Sequence, residues 1–466
     1  MEAAVFFCIS KKALLANSLK YQEKGAGKMR IKVAKFGGTS LADATQFKKV
    51  QVIIKEDESR RIIVVSAPGK RTKQDIKVTD LLITCSDNVN SKEERMKAFE
   101  QVALRFTKLV EELGVYPSIS DELSIIKKNI FNGADIAYVV SRGEYLNGLI
   151  MASLLQYEFI DAAKVIVFKN GRCDRKASSE RIAQYIHGSK GYVIPGFYGA
   201  DEQGRIKIFS RGGSDITGAI ASEAVHAQIY ENWTDVPGIF VADPSIVAHP
   251  RRIEEITYRE LRELSYMGAR VFHEDAVLPV KETGIPIFVG STNAPERGGT
   301  TIVPELQDKE KLEMDVVGIA GKKNFSSILI EKAMMNGEVG FGRKVLEVLE
   351  HRGISFEHLP SGIDAISVVV ESRSLQGQKQ RLIHDIVHFV QPDRIIIKDH
   401  QAMIAIVGRK NFYQSGVAVR LFGILYKAQI EVRMVDQSFD GISMIIGVDE
   451  QDYESAVRAI YNGLNN

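Results

Sequence analysis

The sequence has little cysteine, a single tryptophan and no surplus of charge of either sign. Its three cysteines, Cys8, Cys85 and Cys173, stand far apart with no C-x-x-C spacing. They are too few to staple a secreted fold of this size, so they are expected as reduced thiols of a cytoplasmic protein. The 61 lysines and arginines are matched by 59 aspartates and glutamates, a balance that speaks against a nucleic-acid partner. No apolar run approaches the roughly 20 residues that span a bilayer, and the stretch 3–9 is cut short by Ser10, Lys11 and Lys12. That stretch follows Glu2 rather than a basic segment and lacks a small-residue cleavage site, so neither a signal peptide nor a membrane partner is expected. Glycine and proline, 38 and 12 of 466 residues, are near average usage and exclude collagen-like or low-complexity chains.

What is present is globular: 45% of residues are hydrophobic, enough to bury a core in each of the two to four domains that about 100–200 residues per domain implies. Short apolar runs at 31–36, 62–66, 165–168, 192–194, 229–233 and 285–289 alternate with helical patterns at 44–57, 92–113, 121–131, 146–157, 216–226 and 258–266. Such alternation predicts an α/β domain with a mainly parallel sheet. Residues 1–28 read as an extension without ordered structure, ahead of a candidate start at Met29, and the charged stretch 307–315 reads as a linker. Beyond it the pattern repeats: Leu349, Ile354, Ile366 and Ser367 recur as Leu425, Ile430, Ile442 and Ser443 at a constant offset. The first copy reads as strand 325–330, helix 339–351, strands 354–358 and 366–370, and helix 379–390, a ferredoxin-like order with its helices on one face.

Two Gly-Gly turns carry the strongest chemical signal. Lys35, Phe36, Gly37, Gly38, Thr39 and Ser40 close the first strand, and Ser210, Arg211, Gly212, Gly213, Ser214 and Asp215 lead into a helix expected from Ile216. Glycines let backbone N–H groups approach an anion, and a lysine at a strand end neutralises charge on a phosphoryl group. An ordinary strand-to-helix turn and an N-cap aspartate are the plainer alternatives, and the spacing is not that of a Walker P-loop. Ser141, Arg142, Gly143 and Glu144 are expected just before a helix from Leu146, with Glu144 complementing either the helix dipole or a substrate ammonium. Trp233, Thr234, Asp235, Val236, Pro237, Gly238 and Ile239 end a strand in a turn. The histidines show no metal-ligand spacing, so no protein-built metal site is expected.

Taken in order and spacing, KFGGTS (35–40), SRGE (141–144), SRGGSD (210–215) and WTDVPGI (233–239) resemble the aspartate kinases of the amino-acid kinase superfamily, over residue 29 to the C-terminus. The resemblance implies an amino-acid kinase fold, a mainly parallel sheet between helices, over 29–306, followed by two ferredoxin-like ACT modules, one (325–398) inserted in the other (316–324 plus 399–466). It implies transfer of a phosphoryl group from ATP, bound with Mg²⁺ through its phosphates, to the side-chain carboxylate of L-aspartate, opening lysine, threonine and methionine biosynthesis. By the same resemblance Lys35 and Asp215 are catalytic, and Ser66, Thr72, Glu144, Arg211 and Ser214 bind aspartate. Gly37, Gly38, Ser40, Gly212, Gly213, Thr234, Asp235, Phe240, Asp243 and Arg270 would face ATP. Phe240 stands where many relatives carry tyrosine, and Arg270 and Glu274 depart from the usual GAKVLHP. Met335, Phe341, Gly342, Ser355 and Glu357 match an effector site for lysine, alone or with threonine, at an interface that makes a homodimer or a dimer of dimers through the ACT modules. A solvated carboxylate is the plain alternative for Glu357. Another amino-acid kinase, or an amino-acid sensor without turnover, are the competing readings of the whole.

Overall fold

The computed structural model describes residues 31–87, 89–115, 119–210, 212–269, 274–307, 316–409, 416–437 and 442–464, without the side chains of 274–276. The extension 1–28, nearly all of the stretch 307–315, and the candidate site residues Arg211 and Arg270 lie outside them.

Strand alternation organises the N-terminal domain. In Lys32–Phe36 and its parallel neighbour Arg60–Val65, Val33, Ile62 and Val64 face one apolar core, whereas Ala34, Phe36, Ile63 and Val65 face another. A strand buried on both faces needs helices above and below, as a parallel sheet provides. The eight strands run in the order Glu255–Thr257, Gly299–Val303, Ile287–Ser291, Ile229–Thr234, Lys32–Phe36, Arg60–Val65, Tyr192–Pro195, Glu158–Phe159. Every pairing is parallel except that of Ile287–Ser291 with Gly299–Val303. A four-stranded sheet, in the order Arg172–Cys173, Val167–Lys169, Tyr198–Asp201, Ile206–Ile208, flanks it. No helix among the described residues is long and apolar enough to cross a membrane.

The tail forms one antiparallel sheet in the order Ala365–Glu371, Val316–Glu331, Arg394–Gly408, Ser443–Asp449, Met434–Gln437. Its two long central strands shift register between Lys322 and Phe325, where Asn324 takes a left-handed φ of 70°. The repeat is visible in the helices, Phe341–His351 recurring as Val417–Lys427. One expected strand is absent. Over 354–358 only His358 forms an isolated bridge, to Val369: Glu357 N and His358 O bond to Val369, and the side chains of Glu357 and His358 are bonded to Tyr266 and Asp436.

The two parts are joined by packing. Ala402, Ile404 and Ile406 fill the core of the second half of the tail, whereas Met403, Ala405 and Val407, on the opposite sheet face, belong to the same cluster as Leu261, Leu264 and Met267 of the first domain. The Tyr258–Tyr266 helix thus covers a face that a ferredoxin-like sheet leaves open. Arg409 pairs with Glu260 at 2.9 Å where both side chains are almost fully buried.

Candidate active site

Parallel pairing of Lys32–Phe36 with Ile229–Thr234 sets Lys35 beside Asn232. Lys35 is 8% exposed, not the solvent-facing lysine that a strand end suggests. Its Nζ meets Asp215 Oδ1 at 2.6 Å and donates to Asn232 Oδ1 at 3.3 Å, while Asn232 Nδ2 donates to the same Asp215 oxygen at 3.3 Å. The helix carrying Asp215 spans Gly213–Ala224, three residues earlier than expected. Asp215 therefore sits in the first turn and not at the N-cap. Gly212 holds the cap in the left-handed region with φ 60° and no side-chain cap, which leaves the first-turn N–H groups available to an anion.

The other Gly-Gly turn is fixed by close approach. Gly37 N donates to Trp233 O at 3.0 Å and Gly69 N to Gly38 O at 2.7 Å, and a Cβ on Gly38 would meet Ala67 O at 2.8 Å. A short 3-10 turn, Gly38–Leu41, follows. There Ser40 is buried, and its hydroxyl accepts from Thr292 Oγ1 at 2.7 Å.

The SRGE segment does not precede a helix. The helix runs Ile136–Leu155, with Asp135 as N-cap accepting from Ala137 N, so Glu144 lies in its interior and complements no dipole. An apolar run upstream, not the motif, sets the start. Glu144 is 5% exposed, and its Oε2 has no hydrogen-bond partner. Burial pushes its carboxyl up to about 8, with a backbone hydrogen bond from Ala67 and the charge of Arg142 pulling the other way. The Arg142 guanidinium lies over the rings of Tyr138 and Tyr145, each at 4.5 Å. Ser66 N donates to Phe36 O at 3.2 Å. Thr72 is exposed on a loop that Arg71 and Arg105 anchor through Asp75, and Ser214 is buried beside Gly196.

On the far side, Thr234 Oγ1 donates to Asp235 Oδ1 at 3.1 Å, and Asp243 accepts from Ser245 N and Oγ at 2.8 and 2.7 Å. Phe240 and Asp243 line a cleft of about 1300 Å³ whose opposite wall is Gly321–Phe325 of the tail sheet. Lys35, Gly37, Gly38 and Asp215 do not line it. In the tail, Met335 and Phe341 are buried in an apolar cluster with Val345 and Leu349, and Gly342 lies in the first turn of the adjoining helix. Polar groups come from exposed Ser355 and from Glu357, which accepts from the Tyr266 hydroxyl at 2.6 Å. Among the described residues no three His, Cys, Asp or Glu side chains cluster as metal ligands. Asn232, Thr292 and Tyr266 contact these expected site residues without having been expected from the sequence. Of these, Asn232 was recoverable from its strand position beside Lys35.

A model of the amino acid kinase family matches residues 30–291, and one of the ACT domain matches 404–464. Aspartokinase 3 of Bacillus subtilis is 35% identical over 447 residues, 92% of this chain and 98% of that protein. The crystal structure of Clostridium acetobutylicum aspartate kinase superposes with a TM-score of 0.84 at 48% identity, covering 94% of this chain and all of that one. Escherichia coli aspartokinase III, solved with aspartate and ADP in an R-state and with lysine and aspartate in a T-state, superposes at 0.73 and 0.72 with 25% and 26% identity, over 94% of this chain and all of each of those chains.

Proposed function

The chain belongs to the amino acid kinase family and, within it, to the aspartate kinases, and from that membership we propose how its residues divide the work. Lys35, held by Asp215 and Asn232, neutralises charge on the γ-phosphoryl group of ATP. The N–H groups of Gly37, Gly38, Gly212 and Gly213 and the hydroxyls of Ser40 and Ser214 cradle the phosphates, and Mg²⁺ enters on the nucleotide as part of the substrate. A β-carboxylate oxygen of L-aspartate forms the new O–P bond as ADP leaves, giving 4-phospho-L-aspartate. No general base is needed, because the attacking carboxylate is already ionised; positioning and electrostatics carry the rate.

Glu144 receives the substrate's ammonium, whose positive charge draws the buried carboxyl into its ionised form. Arg211 takes the α-carboxylate, with Ser66 and Thr72 beside the substrate, and Thr234, Asp235, Phe240, Asp243 and Arg270 contact the nucleotide. The observation that carries this reading is the Lys35–Asp215–Asn232 cluster set between two Gly-Gly turns. ADP release that requires both MgATP and L-aspartate tests it.

The tail regulates. Lysine, alone or with threonine, occupies a site at Ser355, Glu357 and Gly342, walled by Met335 and Phe341, and the reading draws support from the lysine-bound T-state of the E. coli enzyme. The catalytic domain spans 29–306, the first ACT module 325–398 and the second 316–324 plus 399–466. Two copies pair through the first module, where Met334, Val339 and Ile363 are exposed apolar side chains that a partner covers. The enzyme works in the cytoplasm.

A further inference from the structure

The helix Ile136–Leu155 presses so closely on the end of the strand Arg60–Val65 that a Cβ on Gly143 would meet Ala67 Cβ at 2.9 Å. Glu144 and Asn147, one turn apart, therefore share the face turned to this loop. The Glu144 carboxylate lies beside the Ala67 backbone, and Asn147 Nδ2 donates to Ser66 O at 2.7 Å. The Asn147 bond fixes the amide's orientation, because a carbonyl oxygen only accepts. Asn147 Oδ1 is thus left over, fully buried and unpartnered, as is Glu144 Oε2. Arg142 satisfies neither, since its guanidinium is turned to Tyr138 and Tyr145.

We propose that Asn147 Oδ1 is a second acceptor for the ammonium group of the amino-acid substrate, forming with Glu144 Oε2 a two-oxygen cradle. A buried acceptor left without a donor forfeits the hydration it had in the unfolded chain, and a primary ammonium brings three N–H donors on one atom, enough for both oxygens at once. The inference rests on Glu144 as the ammonium site. It adds a specificity element: a dicarboxylate without the ammonium satisfies neither oxygen.

The test compares aspartate with succinate, which has both carboxylates and no ammonium. Asn147→Ala should raise the KM for aspartate by about tenfold or more, while the KM for ATP and the Ki for succinate as a competitive inhibitor stay within about twofold of wild type. An aspartate KM shifted by less than about threefold, or a succinate Ki raised by the same factor as the aspartate KM, overturns the proposal. Should the alanine variant not fold, Asn147→Ser keeps a hydroxyl that can donate to Ser66 O but withdraws the acceptor from the ammonium: the aspartate KM should rise by about tenfold with the succinate Ki within about twofold, and equal shifts of the two overturn the proposal. A Glu144→Gln enzyme with an unchanged aspartate KM would remove the ammonium site itself, an outcome distinct from failure at Asn147 alone.

Discussion

The Tyr266 hydroxyl, at the end of the Tyr258–Tyr266 helix, donates to Glu357 Oε2 of the tail at 2.6 Å. Lys322 Nζ of the tail's long central strand lies 5.4 Å from the same ring. One aromatic side chain thus links the proposed effector carboxylate to the helix that carries the buried Glu260–Arg409 pair and, through Ser265 and Gly268, to the cleft beside Phe240.

An effector ammonium at Glu357 competes with Tyr266. Glu357→Ala is expected to raise the lysine concentration for half-inhibition about tenfold, with uninhibited turnover within about twofold. Tyr266→Phe removes the competitor and should lower that concentration about threefold. Inhibition curves for the two variants check both directions, and superimposable curves would place the effector elsewhere.

Lys35→Met should reduce turnover by about a hundredfold or more, the scale of losing one preorganised electrostatic contact in a transition state. Because Lys35 is buried against Asp215, the variant should also melt at a lower temperature. Initial rates of ADP release and a thermal scan separate the two effects, and turnover within about tenfold of wild type would remove the lysine from its role.

Glu144 titrates near 8 in the substrate-free protein because burial disfavours its charge. Aspartate needs the ionised form, so its KM should fall as pH rises from 7 to 9. Stability moves the other way. Between 4.5 and about 8 the folded state keeps a proton that the unfolded chain has lost, so this group's contribution is present at low pH and is lost as pH rises. Glu144→Gln should raise the melting temperature of the substrate-free protein more at pH 8.5 than at pH 5, while weakening aspartate. Equal shifts at both pH values would contradict the assignment.

Much of this was legible because both-face burial leaves continuous apolar strands, as in 62–66, and because Gly-Gly turns at strand ends stand out in a sequence. The offset repeat likewise disclosed the paired helices Phe341–His351 and Val417–Lys427. Glu144 was misplaced because Gly143 resembles a helix boundary, whereas it serves close packing inside a helix. The missing strand over 354–358 has apolar residues, but only one bridge to Val369 forms there, and Glu357 and His358 are held by side-chain bonds to Tyr266 and Asp436. Asn147, Tyr266 and the Glu260–Arg409 pair matter only through contacts far apart in the chain, which no local pattern encodes.

Arg409→Met leaves Glu260 charged and buried, and should destabilise the protein by about 3–5 kcal/mol, read from denaturant unfolding. Adding Glu260→Leu should recover part of that loss, because an apolar pair replaces a buried ion pair at little cost, less the capping bond that Glu260 accepts from Thr257 N. No recovery in the double variant would mean that other bonds of the two side chains, among them Thr257 N to Glu260 Oε2 at 2.7 Å and Arg409 to Glu255 O at 2.7 Å, carry the joint.

The most direct test of the account is ADP release from MgATP with L-aspartate, with L-glutamate in its place, and with lysine, threonine or both added. The account predicts turnover that requires aspartate, falls by about a hundredfold or more with glutamate, and is suppressed by lysine. ADP release independent of aspartate, or equal with glutamate, would contradict it.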